Sequence, residues 1–251
     1  SSLSLDERIK WLEKIANALE ARSEEIAKLE SLDTGKPIKI ARAVDASRSV
    51  ANFRFFAEFS KDFHEQKFLM EDATNHVIFK PVGIAGLITP WNLPLYLLSW
   101  KIAPAIVMGN TVVAKPSELT PLTANLLAEV FDEVGLPAGV VNIVHGFGHE
   151  TGQAIVSHPH VNLISFTGGT ITGKKVAETA APMFKKLSLE LGGKNATIVL
   201  DDANLDSAIP EIARSGFLNQ GQVCLCGSRI LVSDKIWDDF LEKFIEHVSN
   251  M

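Results

Sequence analysis

Cysteine is scarce: the chain has two in 251 residues, Cys224 and Cys226, separated by a single residue. That excludes a disulfide framework. A CxC pair with scattered histidines is also a poor zinc site, because tetrahedral closure needs four ligands, so no metal is expected. Long apolar runs are missing as well. The longest, around Ile102–Val113, is interrupted by Pro104, Gly109 and Asn110 and falls short of the roughly 20 apolar residues of a membrane span. No apolar secretory core stands at the N-terminus. Charges of both signs are interspersed, 24 basic against 30 acidic, with no basic stripe for nucleic acid and no like-charged tail. The expectation is a soluble protein of a reducing cytoplasm, acting on a small molecule rather than on nucleic acid or membrane.

What is present is enough apolar material, 46% of residues, for one large domain or two smaller ones. Ser4 and Glu7 form a capping-box pair ahead of Ile9, Leu12, Ala16 and Leu19 at helical spacing. This pattern predicts a helix running towards Leu32 and stopping at Asp33–Pro37. A second helix is predicted over Val44–Phe59, with Val50, Phe53, Phe56 and Phe59 as a core-facing stripe. It also carries Arg48 and Arg54.

From Phe79 onward, short apolar runs (VGIAGLIT, NTVVAKP, VVNIVHG, LISFTG, ATIVL) alternate with helical segments such as Pro121–Val134 and Gly148–Ser157. Alternation of this kind implies βαβ units, and near-continuous Val/Ile runs imply strands buried on both faces. The fold class is α/β: a Rossmann-like, mostly parallel sheet with flanking helices, followed by the start of a second α/β domain. A boundary is expected near Leu191–Lys194, where a glycine pair follows KLSLE.

Five motifs carry chemistry. FLNQGQVCLCGSR, Phe217–Arg229, sets Cys224 among small residues, 34 positions after Glu190 in LELGGK. Thiolate chemistry needs an exposed sulfur, and acyl transfer needs a base that can activate water. A lone cysteine is more often packing, and Cys226 is read that way. Asn92 in PWN ends a predicted strand; alone it would be turn chemistry. Phe166–Gly173, FTGGTITG, is a strand followed by a glycine-rich helix start, which suits a pyrophosphate but could equally be an ordinary turn. The fifth motif is AKPSE, Ala114–Glu118.

In chain order, PWN, AKPSE, LELGGK and FLNQGQVCLCGSR together resemble the aldehyde dehydrogenase superfamily, from about Ser4 to the end. Within it, SRSVANFRFFAEF, PWNLPLYLLSWKIAPA and KKLSLELGGKNA are most similar to the 2-aminomuconic and 2-hydroxymuconic semialdehyde dehydrogenases. The resemblance implies oxidation of an aldehyde to the acid through a cysteine thioester, with NAD as cofactor. Cys224 would be the nucleophile, Glu190 the general base, with its apolar neighbours raising its pKa, and Asn92 the oxyanion donor. Lys115 and Glu118 would reach the adenosine ribose, which favours NAD over NADP. Ile88, Thr89, Trp91, Gly148, Phe166, Gly168, Gly169 and Leu191 would line the rest of the cofactor site. Gly169 stands where relatives usually carry Ser, which removes one hydroxyl contact to phosphate. Arg48, Tyr96 and Trp100 would face the substrate, Arg48 meeting a carboxylate.

The resemblance further implies an NAD-binding domain over 1–190, with an assembly-type strand excursion near 64–81, and the N-terminal part of a catalytic domain over 191–251. Family members are nearly twice as long, so a missing C-terminal half and a homo-oligomer, dimer or tetramer, are expected. Two other readings stay open: a Cys-dependent ester or thioester hydrolase, and a non-catalytic dinucleotide-binding fragment.

Overall fold

A computed structural model describes residues 3–63 and 65–251. The chain forms two compact units, one running to Glu190 and the other Leu191–Met251.

The first unit opens with α1 (Leu5–Ala21), entered through the Ser4/Glu7 capping box. The single long helix read from the sequence is in fact two. The backbone leaves helical geometry at Arg22, and α2 (Ser23–Thr34) follows. Ser23 Oγ donates back to the Glu20 carbonyl at 2.7 Å, a side-chain bond that competes with the helical ladder. The break lets Ile9, Leu12, Ile15, Leu19 and Ile26 all reach the core. Gly35, at φ 73°, ends α2 in the left-handed conformation that glycine tolerates best.

A short turn, α3 (Ile38–Ile40), runs through a π-wound segment, Ala41–Ala46, into α4 (Ser47–Lys61). The sequence-based stripe on this helix is half right. Val50 and Phe53 are buried and Phe56 is half-buried, but Phe59 is exposed. The buried face instead follows Ser49, Val50, Asn52, Phe53, Ala57 and Ser60. Phe55 and Phe59 stack on one another at the surface. The excursion near 64–81 contains β1 (Gln66–Leu69) and β2 (Thr74–Val77), an antiparallel hairpin exposed along its whole length. His64, its first residue, lies outside the described residues.

The central sheet holds β3 (Ile84–Ile88), β4 (Thr111–Lys115), β5 (Val141–Ile143), β6 (Val161–Gly168) and β7 (Lys186–Leu191), in the order β5-β4-β3-β6-β7. β3 pairs parallel with β4 and β6, and β4 with β5. The intervening helices are α5 (Pro94–Val107), α6 (Leu122–Val134), α7 (Gln153–Ser157) and α8 (Thr170–Ala180). The sequence assigned Gly148–Ser157 to a helix; its first half, Gly148–Gly152, is π-wound. Gly86 in β3 has no room for a side chain, since a Cβ there would stand 2.6 Å from Ile155 Cγ2. α7 therefore closes directly onto the strand.

The second unit pairs β8 (Ala196–Val199) with β9 (Arg229–Val232) in parallel. α9 (Leu205–Phe217) and α10 (Trp237–Ser249) accompany them around Val199, Leu205, Ile209, Ile212 and Phe240. No helix among the described residues is long and apolar enough to cross a membrane.

Candidate active site

The chain runs outward from β3 to β4 and β5, then returns to the other side of β3 as β6. Strand order thus reverses between β3 and β6, and open α/β sheets hold ligands in the crevice at such a switch point, beyond the carboxyl ends. The register aligns the motifs there. Ile88 of β3 sits opposite Lys115 of β4 and Phe166 of β6, so β3 and β4 end at one level before PWN and PSE, and β6 runs two residues further, to Gly168, before α8.

At this edge of the sheet the side chains have the chemistry of a dinucleotide site. Lys115, almost wholly buried, donates from Nζ to Glu118 Oε2 at 2.8 Å and to the Pro116 carbonyl at 2.9 Å. That hydrogen bond is the main reason the Glu118 carboxyl is held below its ordinary range. A fixed carboxylate is a good acceptor for ribose hydroxyls. Thr89 Oγ1 is buried with no hydrogen-bond partner among the described residues, an orphan that a ligand hydroxyl or phosphate would satisfy. Gly169 leads into α8 without a side-chain cap, which leaves first-turn N–H groups for an anion. Gly168 has a separate reason to lack a side chain: its Cβ would strike the Phe166 ring at 2.5 Å. Ile88 and Phe166 are buried beneath this rim, Trp91 is partly exposed on it, and Gly148 is exposed at the start of the π-wound turn.

Glu190, in β7, is exposed, while Leu189 and Leu191 are half-buried. Strand alternation puts these leucines on the opposite face from Glu190. What faces Glu190 is a cation. Lys101 on α5 is buried, donates from Nζ to Ser165 Oγ at 2.7 Å, and feels the Glu190 charge. Burial draws its ammonium down to about 8, with Glu190 opposing. The sequence reading missed Lys101, although a lysine inside the apolar helix LLSWKIAPAIV was a visible signal.

In the second unit, α9 runs into a turn in which Asn219, Gln220 and Gly221 all take positive φ, at 53°, 62° and 70°. Two consecutive non-glycine residues there are strained, a state usually held at functional positions. The strand-ward end is fixed by Gly227, whose Cβ would stand 2.3 Å from Thr197 Oγ1. Asn195 Nδ2 donates to the Cys224 carbonyl at 3.0 Å. Between these anchors Cys224 is exposed and Cys226 buried.

The aldehyde dehydrogenase family model matches residues 1–251. The chain belongs to the aldehyde dehydrogenase family. The 2-aminomuconic semialdehyde dehydrogenase of Homo sapiens is 53% identical over 248 residues, covering 98% of this chain and 51% of that protein. The 2-hydroxymuconic semialdehyde dehydrogenase of Pseudomonas sp. (strain CF600) is 46% identical, over 96% of this chain and 51% of its own length. Among solved structures, the NAD+ complex of aldehyde dehydrogenase from Bacillus cereus superposes with a TM-score of 0.96 at 40% identity, covering 99% of this chain and 51% of that one. The chain spans about half the length of the curated relatives it matches.

Two further groupings of side chains lie in the first unit of this aldehyde dehydrogenase chain. Arg48 is exposed on α4, with its guanidinium 5.5 Å from the centre of the Tyr96 ring on α5. Trp100, one helical turn beyond Tyr96, instead joins Phe55 and Phe56 in an aromatic patch. Behind Asn92 lies a buried charge triad that the sequence reading did not identify, having placed Glu30 and Asp45 in two helices and Lys36 in the turn between them. Lys36 Nζ donates to both carboxylate oxygens of Asp45 at 2.9 Å, and Glu30 Oε2 stands 3.9 Å away. One ammonium serves two buried carboxylates. Desolvation, then the Asp45 charge, push the Glu30 carboxyl up to about 7, and burial raises Asp45 as well.

Proposed function

We propose that the intact protein oxidises a carboxylate-bearing semialdehyde, of the 2-aminomuconic or 2-hydroxymuconic type, to the acid with NAD. The observation that supports this most is the alignment of Asn92, Lys115, Glu118 and the Gly168–Gly169 turn at the switch point of the sheet. A hydrolase has no use for such a ribose and pyrophosphate cradle. The unit up to Glu190 acts as the NAD-binding domain, and Leu191–Met251 is the beginning of the catalytic domain.

Cys224 supplies the thiolate. Its sulfur adds to the aldehyde carbon, and the carbonyl electrons move onto oxygen, where the Asn92 amide N–H stabilises them as a thiohemiacetal oxyanion. NAD, when bound, supplies the hydride acceptor that lets this adduct become a thioester. Glu190 then takes a proton from water as its oxygen attacks the thioester carbon, and the Cys224 thiolate leaves with release of the acid. Lys115 and Glu118 would hold the ribose hydroxyls of NAD, Thr89 and the α8 N-terminus would serve its phosphates, and Ile88, Trp91, Gly148, Phe166 and Leu191 would shape the walls. Arg48 receives the substrate carboxylate beside Tyr96, with Trp100 further along the same helix.

The relatives named for muconic semialdehydes support the substrate class, and the NAD+ complex of the Bacillus cereus enzyme supports the cofactor. The two free thiols suit a reducing compartment such as the cytoplasm. The exposed hairpin β1–β2 and the patch of Phe55, Phe59 and Trp100 suit burial in a homo-oligomer, dimer or tetramer.

The test is incubation of the intact protein with NAD and 2-hydroxymuconic semialdehyde, following reduced nicotinamide by absorbance. Stoichiometric appearance of acid and reduced nicotinamide is expected. Ester hydrolysis without any NAD-dependent turnover would replace this reading with a cysteine hydrolase, and dinucleotide binding with neither reaction would leave a binding module.

A further inference from the structure

The geometry points to Lys36 as a positioning residue for Asn92: its buried ion pair with Asp45 fixes the backbone of the Trp91–Leu95 segment and thereby the aim of the Asn92 amide. This rests on the reading of Asn92 as the oxyanion donor. Lys36 comes from the turn after α2, more than fifty positions before Asn92 in sequence, and its side chain is fully buried. All three ammonium hydrogens are used: two go to Asp45, and the third to the Asn92 carbonyl at 3.3 Å. Three residues on, the Leu95 N–H donates to Glu30 Oε1 at 3.0 Å, and Thr123 Oγ1 donates to the same oxygen at 2.7 Å. The segment is therefore gripped at a carbonyl by a cation and at an N–H by a carboxylate.

The grip falls where the backbone has least support of its own. Residues 91–93 belong to no helix or strand, and the N-cap residue of α5, Leu93, has no side chain that can cap it, so the first turn relies on Glu30. Leu93, at φ −140° and ψ 69°, sits outside both regular basins. An oxyanion donor must hold its position to within a fraction of an ångström, and misplacement of about 1 Å can cost roughly a hundredfold in rate. Fold stability alone does not call for this arrangement. A buried ion pair is often no more stabilising than apolar residues of similar volume, and the surrounding core of leucines and isoleucines could supply those. What apolar residues cannot supply is a directed bond to the Asn92 carbonyl.

The experiment is a double-mutant cycle on the intact protein, assayed with NAD and 2-hydroxymuconic semialdehyde, with thermal unfolding run alongside. The pair replacement Lys36→Met/Asp45→Leu removes both partners of the ion pair together, and Glu30, whose carboxyl already stands at about 7, meets the loss of the ammonium as the neutral acid. It should keep the melting temperature within a few degrees, lower kcat roughly tenfold to a hundredfold, and move KM little. In an Asn92→Ala background the same replacement should cost nothing further, because the group it aims has gone. If the double replacement does not fold, Asp45→Asn, which keeps the side chain's shape and loosens only the ammonium, enters the same cycle with the same expected pattern. Losses that multiply in the Asn92→Ala background, or an unchanged kcat in the pair replacement, overturn the inference and leave the proposed function standing. A parent without NAD-dependent turnover, or an Asn92→Ala variant with undiminished kcat, overturns the reading of Asn92 and this inference with it.

Discussion

Lys101 Nζ donates to Ser165 Oγ at 2.7 Å, tying α5 to β6 at a part-buried point that feels the charge of Glu190. Burial is the larger influence on this lysine and draws it down to about 8 from 10.5. Between those values the folded state has released the proton while the unfolded chain keeps it, so stability rises with pH through that window. Below about 8 both states are charged, and the folded one carries the full cost of a buried ammonium. Lys101→Met should therefore gain most over the parent at pH 7, and progressively less towards pH 10. Urea unfolding at pH 7, 8.5 and 10 measures this, and a stability difference that does not change with pH would refute it.

The contrast between Cys224 and Cys226 gives a second expectation. The strained turn Asn219–Gly221 leads into an exposed Cys224, while Cys226 is packed inside. Cys224→Ala in the intact protein should abolish turnover, lowering it by roughly 10³-fold or more, while NAD still binds. Cys226→Ala should keep most of the activity and lose a modest amount of stability, since a small buried group is removed. Alkylation by iodoacetamide followed by peptide mapping should modify Cys224 first. If the two variants exchanged phenotypes, the assignment of the nucleophile would be wrong.

In the proposed cofactor site, the choice between NAD and NADP would turn on Glu118. Its carboxylate is held ionised by Lys115 at 2.8 Å, and a 2′-phosphate brought beside it would meet like charge. Lys115 and partial exposure soften that repulsion. The preference for NAD over NADP should be roughly tenfold, about 1.4 kcal/mol, and Glu118→Gln should narrow it. Comparing kcat/KM for the two cofactors decides the matter. Equal use of both by the parent would remove the role given to Glu118.

Much of this was legible in the chain, for physical reasons that also explain the rest. Val/Ile runs at β3, β4 and β6 announce strands buried on both faces, and the turns that follow them carry the PWN, KPSE and TGG motifs. The register that brings those turns to one edge of the sheet is a long-range property, and no local pattern contains it. The helix break at Arg22 was hidden because both α1 and α2 keep a helical periodicity across it. Phe59 misled because an aromatic at helical spacing reads as core whether or not anything covers it. The setting of Glu190 was not legible because sequence neighbours in a strand face the other way. The Lys36 triad was invisible for the opposite reason: its members are scattered from α2 to the π-wound turn, and only folding gathers them under Asn92.

Arg48 gives the last expectation and bears on the substrate. Arg22, Arg42 and Arg54 each pair with a glutamate, whereas among the described residues no carboxylate lies within ion-pair distance of Arg48. It rests instead over the Tyr96 ring, 5.5 Å from its centre, a contact that orients a guanidinium without neutralising it. A cation held in this way beside the segment that carries Asn92 is ready for an incoming anion. A charged hydrogen bond contributes about 1.5–3 kcal/mol, so Arg48→Ala should lower kcat/KM for a carboxylated semialdehyde by roughly tenfold to over a hundredfold. A neutral aliphatic aldehyde should be used as well as before, or slightly better, because the approach becomes less polar. If the contact is equally strong in ground and transition states, the loss falls mainly in KM. Steady-state kinetics with 2-hydroxymuconic semialdehyde and with hexanal separate the cases: equal losses on both would make Arg48 a structural residue and take the carboxylate out of the substrate assignment.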